Sequence, residues 1–328
     1  MGVQRFYLLK GALNEMNVIA VTAWRRPEFL AVYLDQLKKN KELPNYLVHF
    51  FVEVDPHEDT DTVITRFKEY HGEGKVRVTY RTERKSACPA AYNIMDSYRI
   101  AVEEASEYVL LGEEDIVPSQ DYLRFCDRAY NKFLKPYDNI FCVAHKRRQD
   151  PQDGHPHLLM GDTQCTSPMV VSVKDIKKYM LPLYSLPYYF SNPIVFNSQH
   201  YPHSRINPGQ HYDHDGQIER IIEKNGLFAL KPDQARTAHI GFYGGASFEG
   251  MDLDLDEKIE IIKAAVFDEE KLKALHSKYD KRDLPTEIAT CDLKDYEWDD
   301  LELDLDRDKC IASSWWYDPE NNFKECMQ

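Results

Sequence analysis

A chain of 328 residues with 43% apolar and 29% charged residues can bury a sizeable core. Its composition is that of a soluble globular protein, built as one large domain with an appendage or as two domains. The formal net charge of −14 argues against a general polyanion-binding surface while leaving room for a local basic groove. No window reaches the ~20 apolar residues of a membrane span, and the N-terminal stretch lacks a signal-length apolar core. Met1-Gly2 is not followed by the Ser or Thr that myristoylation prefers. The cysteines (Cys88, Cys126, Cys142, Cys165, Cys291, Cys310 and Cys326) are scattered, odd in number and without CxxC spacing. That pattern predicts reduced thiols and a cytoplasmic setting.

In chain order, Asn17 to Thr22 is a short buried-strand pattern stopped by Ala23-Trp24-Arg25-Arg26-Pro27. Pro27 opens an amphipathic helix carrying Phe29, Leu30, Val32, Tyr33 and Leu37 at helical spacing. Tyr46 to Val54 is a second apolar strand, ending at Asp55-Pro56. A helix over about 60–70, a strand over 76–80 and a helix over 90–104 follow. The run Tyr108 to Leu111 then reads as a buried strand that ends in three carboxylates, Glu113, Glu114 and Asp115. Helical pattern begins near Pro118 and covers 125–134, and 139–144 is another strand. Alternation of strand and helix predicts a mostly parallel α/β sheet flanked by helices. Neither GxGxxG nor a Walker-type GxxxxGK loop is present, so the usual dinucleotide and P-loop routes are absent.

From about 145 the pattern loosens. Residues 145–157 read as a loop, 167–173 as a strand, 174–180 as a helix and 181–210 as irregular and aromatic-rich. A helix runs from Asp215 to a cap at Asn225-Gly226. Beyond 250 the chain predicts helices over about 255–267 and 269–279, then a strongly acidic stretch over 292–308. This tail reads as a solvated or loosely docked appendage.

Carboxylates at the C-terminal end of a central strand stand where open α/β sheets place their ligands. Three adjacent acids are costly to desolvate unless something positive lies among them. A divalent cation holding a diphosphate would supply that charge; a solvated acidic loop is the alternative.

The order of these elements resembles a GT-A-fold glycosyltransferase, most closely the Golgi β1,2-N-acetylglucosaminyltransferase type and the family 2 inverting transferases. The likeness is carried by VIAVTAWRRPEFL at 18–30, VEVDPHEDT at 52–60, LLGEEDIVPSQDYLRF at 110–125, LKPYDNIFCVAHKRR at 134–148 and ARTAHIG at 235–241. It spans roughly 17–245. It implies a Rossmann-like mixed, mostly parallel sheet, with a catalytic domain over 1–249 divided into a nucleotide-sugar half (about 17–145) and an acceptor half (about 146–249). Residues 250–328 form the acidic helical appendage. Two departures from the family stand out: Glu114 replaces the second acid of the metal motif, and His211-Tyr212-Asp213-His214-Asp215 replaces its Trp-Asp-Asp.

The resemblance also implies roles. Asp115 is the direct ligand of Mn²⁺ or Mg²⁺, Glu114 contacts the donor's ribose or sugar, and Glu113 supports from behind. Thr22, Ala23 and Arg25 line the nucleotide pocket, although Arg25 reads equally as a surface charge. Asp55 contacts the uracil or ribose, or simply opens a turn with Pro56. Arg236 meets the diphosphate. His239 is a further metal ligand or a structural histidine. Asp215, and close behind it Asp213, is the general base, with a helix N-cap as the competing role for Asp215. Arg81, Arg84 and Lys85, and Lys146 to Arg148, form basic clusters that are either solvated surface or contacts to an anionic ligand.

These features predict a metal-dependent inverting transferase using a nucleotide sugar, with a UDP-sugar favoured as donor. The acceptor is a glycan, a lipid-linked precursor, a protein, or a modified base in phage or viral DNA. A nucleotidyltransferase is the second enzyme class, and it normally carries a Gly- and Lys/Arg-rich phosphate loop after the first strand. A non-catalytic binding module with this fold is the third; the intact acids at 113–115 and 213–215 count against it.

Overall fold

The computed structural model describes residues 16–83, 89–144, 157–161, 169–204, 206–209, 213–232, 235–241, 253–278 and 302–304. Its first half is a repeating strand–helix unit: β1 (Asn17–Ala23), α1 (Pro27–Leu37), β2 (Tyr46–Val52), α2 (Asp59–His71), β3 (Val76–Tyr80), α3 (Pro89–Ala101) and β4 (Tyr108–Glu113). A short strand β5 (Ile116–Pro118) follows, then α4 (Tyr122–Ala129) and β6 (Ile140–Ala144). The second half contains β7 (His157–Gly161), β8 (Met169–Ser172), α5 (Val173–Asp175), α6 (Leu181–Tyr184), α7 (Pro193–His200), α8 (His214–Asn225), β9 (Phe228–Pro232) and β10 (Thr237–His239). The tail supplies α9 (Leu255–Phe267), α10 (Glu269–Lys278) and β11 (Glu302–Asp304).

Among the described residues nine strands form one sheet in the order β11-β7-β9-β6-β8-β4-β1-β2-β3. β1 pairs in parallel with both β2 and β4, and β2 with β3, which leaves β1, β2 and β4 ending on the same edge. β8 is antiparallel to both β4 and β6, and β7 is antiparallel to β9. The sheet is therefore mixed, mostly parallel and flanked by helices, the Rossmann-like arrangement expected from the sequence. Its central strands are apolar on both faces because both faces are covered. Ile19, Val21, Val48, Phe50 and Leu110 point into one core with α1, α2 and α4. Val18, Ala20, Phe51, Val109 and Leu111 point into the other, with α3 and α8.

Three differences from the sequence expectation follow, the first two in short elements. Residues 116–118 form a strand where helical pattern had been expected to begin, and this strand pairs with β10 as a separate two-stranded antiparallel sheet. The segment 181–210 contains α6 and α7; α7 starts with Asn192 accepting from the Val195 amide and Pro193 in its first turn, an N-terminal signature hidden among aromatics. In the tail, α9 is docked: Ile259, Ile261, Ile262 and Ala265 are buried against Phe29 and Val32 of α1 and against Val117, Ala238 and Ile240 at the small two-stranded sheet, and β11 pairs with β7. Among the described residues no helix is long and apolar enough to cross a membrane.

Candidate functional site

The chemistry-bearing residues gather where β1, β2 and β4 end. Parallel register sets Thr22 opposite Glu113, and both Thr22 and Ala23 are buried. The chain then turns outward, and the loop clasps the end of β2: Trp24 Nε1 donates to the Val54 carbonyl (3.0 Å) and Arg25 Nε to the Asp55 carbonyl (2.9 Å). Asp55 itself has φ 55°, left-handed backbone that Asp tolerates better than most residues. Just before it, Glu53 is buried with Oε1 accepting from the Val54 amide. Its Oε2 has no hydrogen-bond partner among the described residues.

The acid run is organised by Arg26, which the sequence reading passed over in favour of Arg25. Arg26 Nη2 and Nε lie 2.8 and 3.1 Å from Oε1 of Glu114, and Nη1 lies 2.8 Å from Oδ2 of Asp115. Here is the positive charge that adjacent buried carboxylates require. Burial works against the guanidinium's charge, and Glu114 and Asp115 more than offset it, raising the Arg26 pKa. Burial likewise pushes Glu114 upward against the pull of Arg26. For Asp115 burial also opposes ionisation, but the His239 imidazole and Arg26 outweigh it and hold the carboxyl below its usual range.

The small two-stranded sheet delivers His239. Antiparallel pairing sets His239 opposite Ile116, and the Ile240 amide donates to the Asp115 carbonyl at 2.8 Å. His239 Nε2 thereby comes within 3.6 Å of Asp115 Oδ2. Gly241 permits this close approach, since a Cβ there would clash with Asp115 Oδ2 and lie 3.0 Å from His239 Nε2. Among the described residues no group of three or more His, Cys, Asp and Glu side chains is arranged to hold a metal ion. Asp115 and His239 form a pair, to which a diphosphate would have to contribute the remaining oxygen ligands.

A second cluster stands at the start of α8. Asp213 is the N-cap, its side chain accepting from the Gly216 amide at 3.0 Å. The cap thus belongs to Asp213 and leaves Asp215 in the first turn. His214, to which the sequence reading gave no role, has Nε2 3.2 Å from Asp215 Oδ1. Burial lowers the imidazole's pKa, but Asp215 and the neighbouring Glu113 and Asp213 reverse the effect and lift it to about 9. Glu113 is pushed up to about 7, first by burial and then by the surrounding acids Asp115, Asp215 and Glu114, with His214 pulling the other way. The acids of β4 and the first turn of α8 therefore share one electrostatic field.

Two of the arginines pair within the protein. Arg236 is fully buried, with Nη1 3.0 Å from Asp121 Oδ2; its guanidinium is committed to an internal ion pair rather than to a diphosphate. Arg81 binds α3 through Asp96 (2.5 Å) and Asn93 (2.8 Å). Arg84, Lys85, Lys146 to Arg148, His211 and Tyr212 lie outside the described residues.

No protein-family model and no curated protein matches the chain in sequence. Solved structures resembling it at low identity include residues 1–349 of TarS from S. aureus (13% identity, 80% of this chain and 72% of that one, TM-score 0.45). GalNAc-T7 with UDP, GalNAc and Mn²⁺ is similar at 9% identity over 80% of this chain and 50% of that one, TM-score 0.45. The mannosyltransferase PcManGT from Pyrobaculum calidifontis, in complex with GDP-Man and Mn²⁺, matches at 14% identity over 49% of this chain, TM-score 0.36, and the chain spans 45% of its length.

Proposed function

We propose that the chain is a glycosyltransferase of the GT-A type that moves a sugar, with inversion, from a nucleotide sugar to an acceptor hydroxyl. The observation that carries this reading is the convergence of Asp115, His239 and Arg26 at the ends of β4, β10 and β1. One carboxylate, one imidazole and one guanidinium are suited to a diphosphate group bearing a divalent ion. The absence of a Cβ at Gly241 lets the Asp115 and His239 side chains come together there, as two ligands of one ion must. Bound there, Mn²⁺ or Mg²⁺ would neutralise charge on the departing nucleoside diphosphate.

The protein's own groups divide the remaining work. Thr22, Ala23 and the β2 end at Glu53 and Asp55 would take the nucleoside, the unpartnered Glu53 oxygen being an acceptor suited to a ribose hydroxyl. Arg26 would hold phosphate oxygens through its planar fork. Asp215 would remove the acceptor's proton as its oxygen attacks opposite the leaving group. UDP is the favoured nucleotide, and the acceptor is a glycan, a lipid-linked precursor, a protein or a modified DNA base.

The test is UDP release from a panel of UDP-sugars with Mn²⁺ or Mg²⁺, followed by acceptor screening with the best donor. Asp115→Asn is expected to lose at least about 100-fold in rate. Metal-independent release with a fully active Asp115→Asn protein would sink the proposal.

A further inference from the structure

The Arg26 guanidinium and a divalent ion would make use of the same atom. Asp115 Oδ2 accepts from Arg26 Nη1 at 2.8 Å and is also the oxygen that faces His239 Nε2 at 3.6 Å. Arg26 pairs with both Glu114 and Asp115 in this corner. Adding a divalent ion without any other anion would bring two cations into close repulsion in a partly buried site. A nucleoside diphosphate changes that balance, because its oxygens can take the guanidinium bidentately and the ion at the same time. Arg26 is also placed to leave its carboxylates, since its side chain is 27% exposed while Glu114 and Asp115 stay buried.

We propose that Arg26 is a resident counter-cation that competes with the divalent ion for Asp115 and yields the carboxylate when a nucleoside diphosphate takes up its guanidinium. This inference rests on the nucleotide-sugar reading of the site. In the free protein Arg26 holds the two carboxyl groups without metal, and the ion and the nucleotide bind cooperatively. Reciprocity requires each to strengthen the other by the same factor.

The experiment is an equilibrium Mn²⁺ titration of the full chain, read by the electron paramagnetic resonance signal of free Mn²⁺, with and without saturating UDP. The wild-type protein is expected to bind Mn²⁺ about tenfold or more tightly when UDP is present. Arg26→Gln is expected to bind Mn²⁺ alone about tenfold more tightly than wild type, with little further gain from UDP. Arg26→Lys keeps one charge but not the fork and should fall between the two; it carries the same comparison if the glutamine protein does not fold. Equal or weaker Mn²⁺ binding by the variants, with UDP-dependent binding intact in wild type, overturns the exchange and leaves the transferase reading standing. Absence of Mn²⁺ binding in every protein, even with UDP, overturns the metal assignment and the exchange with it.

Discussion

Asp213 and Asp215 are two residues apart, and the first turn of α8 gives them different work. Asp213 holds the Gly216 amide, a contact that an amide oxygen reproduces. Asp213→Asn should therefore keep both thermal midpoint and turnover near wild type, whereas Asp213→Ala should lose about 1 kcal/mol of stability in urea unfolding. Asp215→Asn should keep the fold and lose about 10²- to 10⁴-fold in kcat, as expected for removal of a general base. The opposite ranking would move the base to Asp213. His214 between them makes a pH prediction. Its pKa rises on folding from 6.5 to about 9, so its contribution to stability is fully present below pH 6.5 and is lost as pH rises through 9. Glu113, raised from 4.5 to about 7, acts in the same direction in a lower window, because the folded state binds its proton more tightly than the unfolded chain does. Urea midpoints measured from pH 6 to 9.5 should fall with pH in wild type. His214→Gln should flatten the part of that slope above pH 6.5.

At the scale of the element, β4 shows how tightly the site is tied to the core. Gly112 lies in a strand interior, where glycine usually marks a close approach. A Cβ there would stand 2.4 Å from the Tyr33 hydroxyl of α1, and that hydroxyl has no hydrogen-bond partner among the described residues. Gly112→Ala should cost about 1–3 kcal/mol through overpacking, and adding Tyr33→Phe should recover part of it. A double-mutant cycle in urea that came out additive would refute the contact. Elements of this kind were legible in sequence: β1, β2 and β4 are apolar runs long enough to need burial on both faces, and α8 announces its end with Asn225-Gly226. The small sheet of β5 and β10 was not, because three-residue strands owe their existence to pairing rather than to local pattern. Arg26 was hidden for a related reason. Neighbouring side chains outside a helix point apart, and nothing in Arg25-Arg26-Pro27 says which arginine turns back toward β4. Arg236 misled in the opposite way, since its partner Asp121 is 115 residues distant in the chain and only the fold brings them together.

On the scale of the whole molecule, the tail decides whether residues 1–249 can stand alone. The apolar side of α9 covers Phe29 and Val32, which lie just after Arg26, and Val117, Ala238 and Ile240, which flank Asp115 and His239 in the chain. Both the guanidinium and the imidazole of the candidate site are therefore backed by a helix from outside the proposed catalytic domain. Burial of each large aliphatic side chain is worth ~1.5–3 kcal/mol, and Ile259, Ile261 and Ile262 are all buried in this contact, so the contact is comparable with a typical domain's net stability of ~5–15 kcal/mol. A fragment ending at residue 252 should consequently unfold at a markedly lower temperature than the full chain and bind a hydrophobic dye through the uncovered face. Ile261→Ala in the full chain should cost about 2–5 kcal/mol. An independent appendage would give the reverse, with an unchanged thermal midpoint in the fragment and unaltered UDP binding, and the boundary near 250 would then separate two folding units.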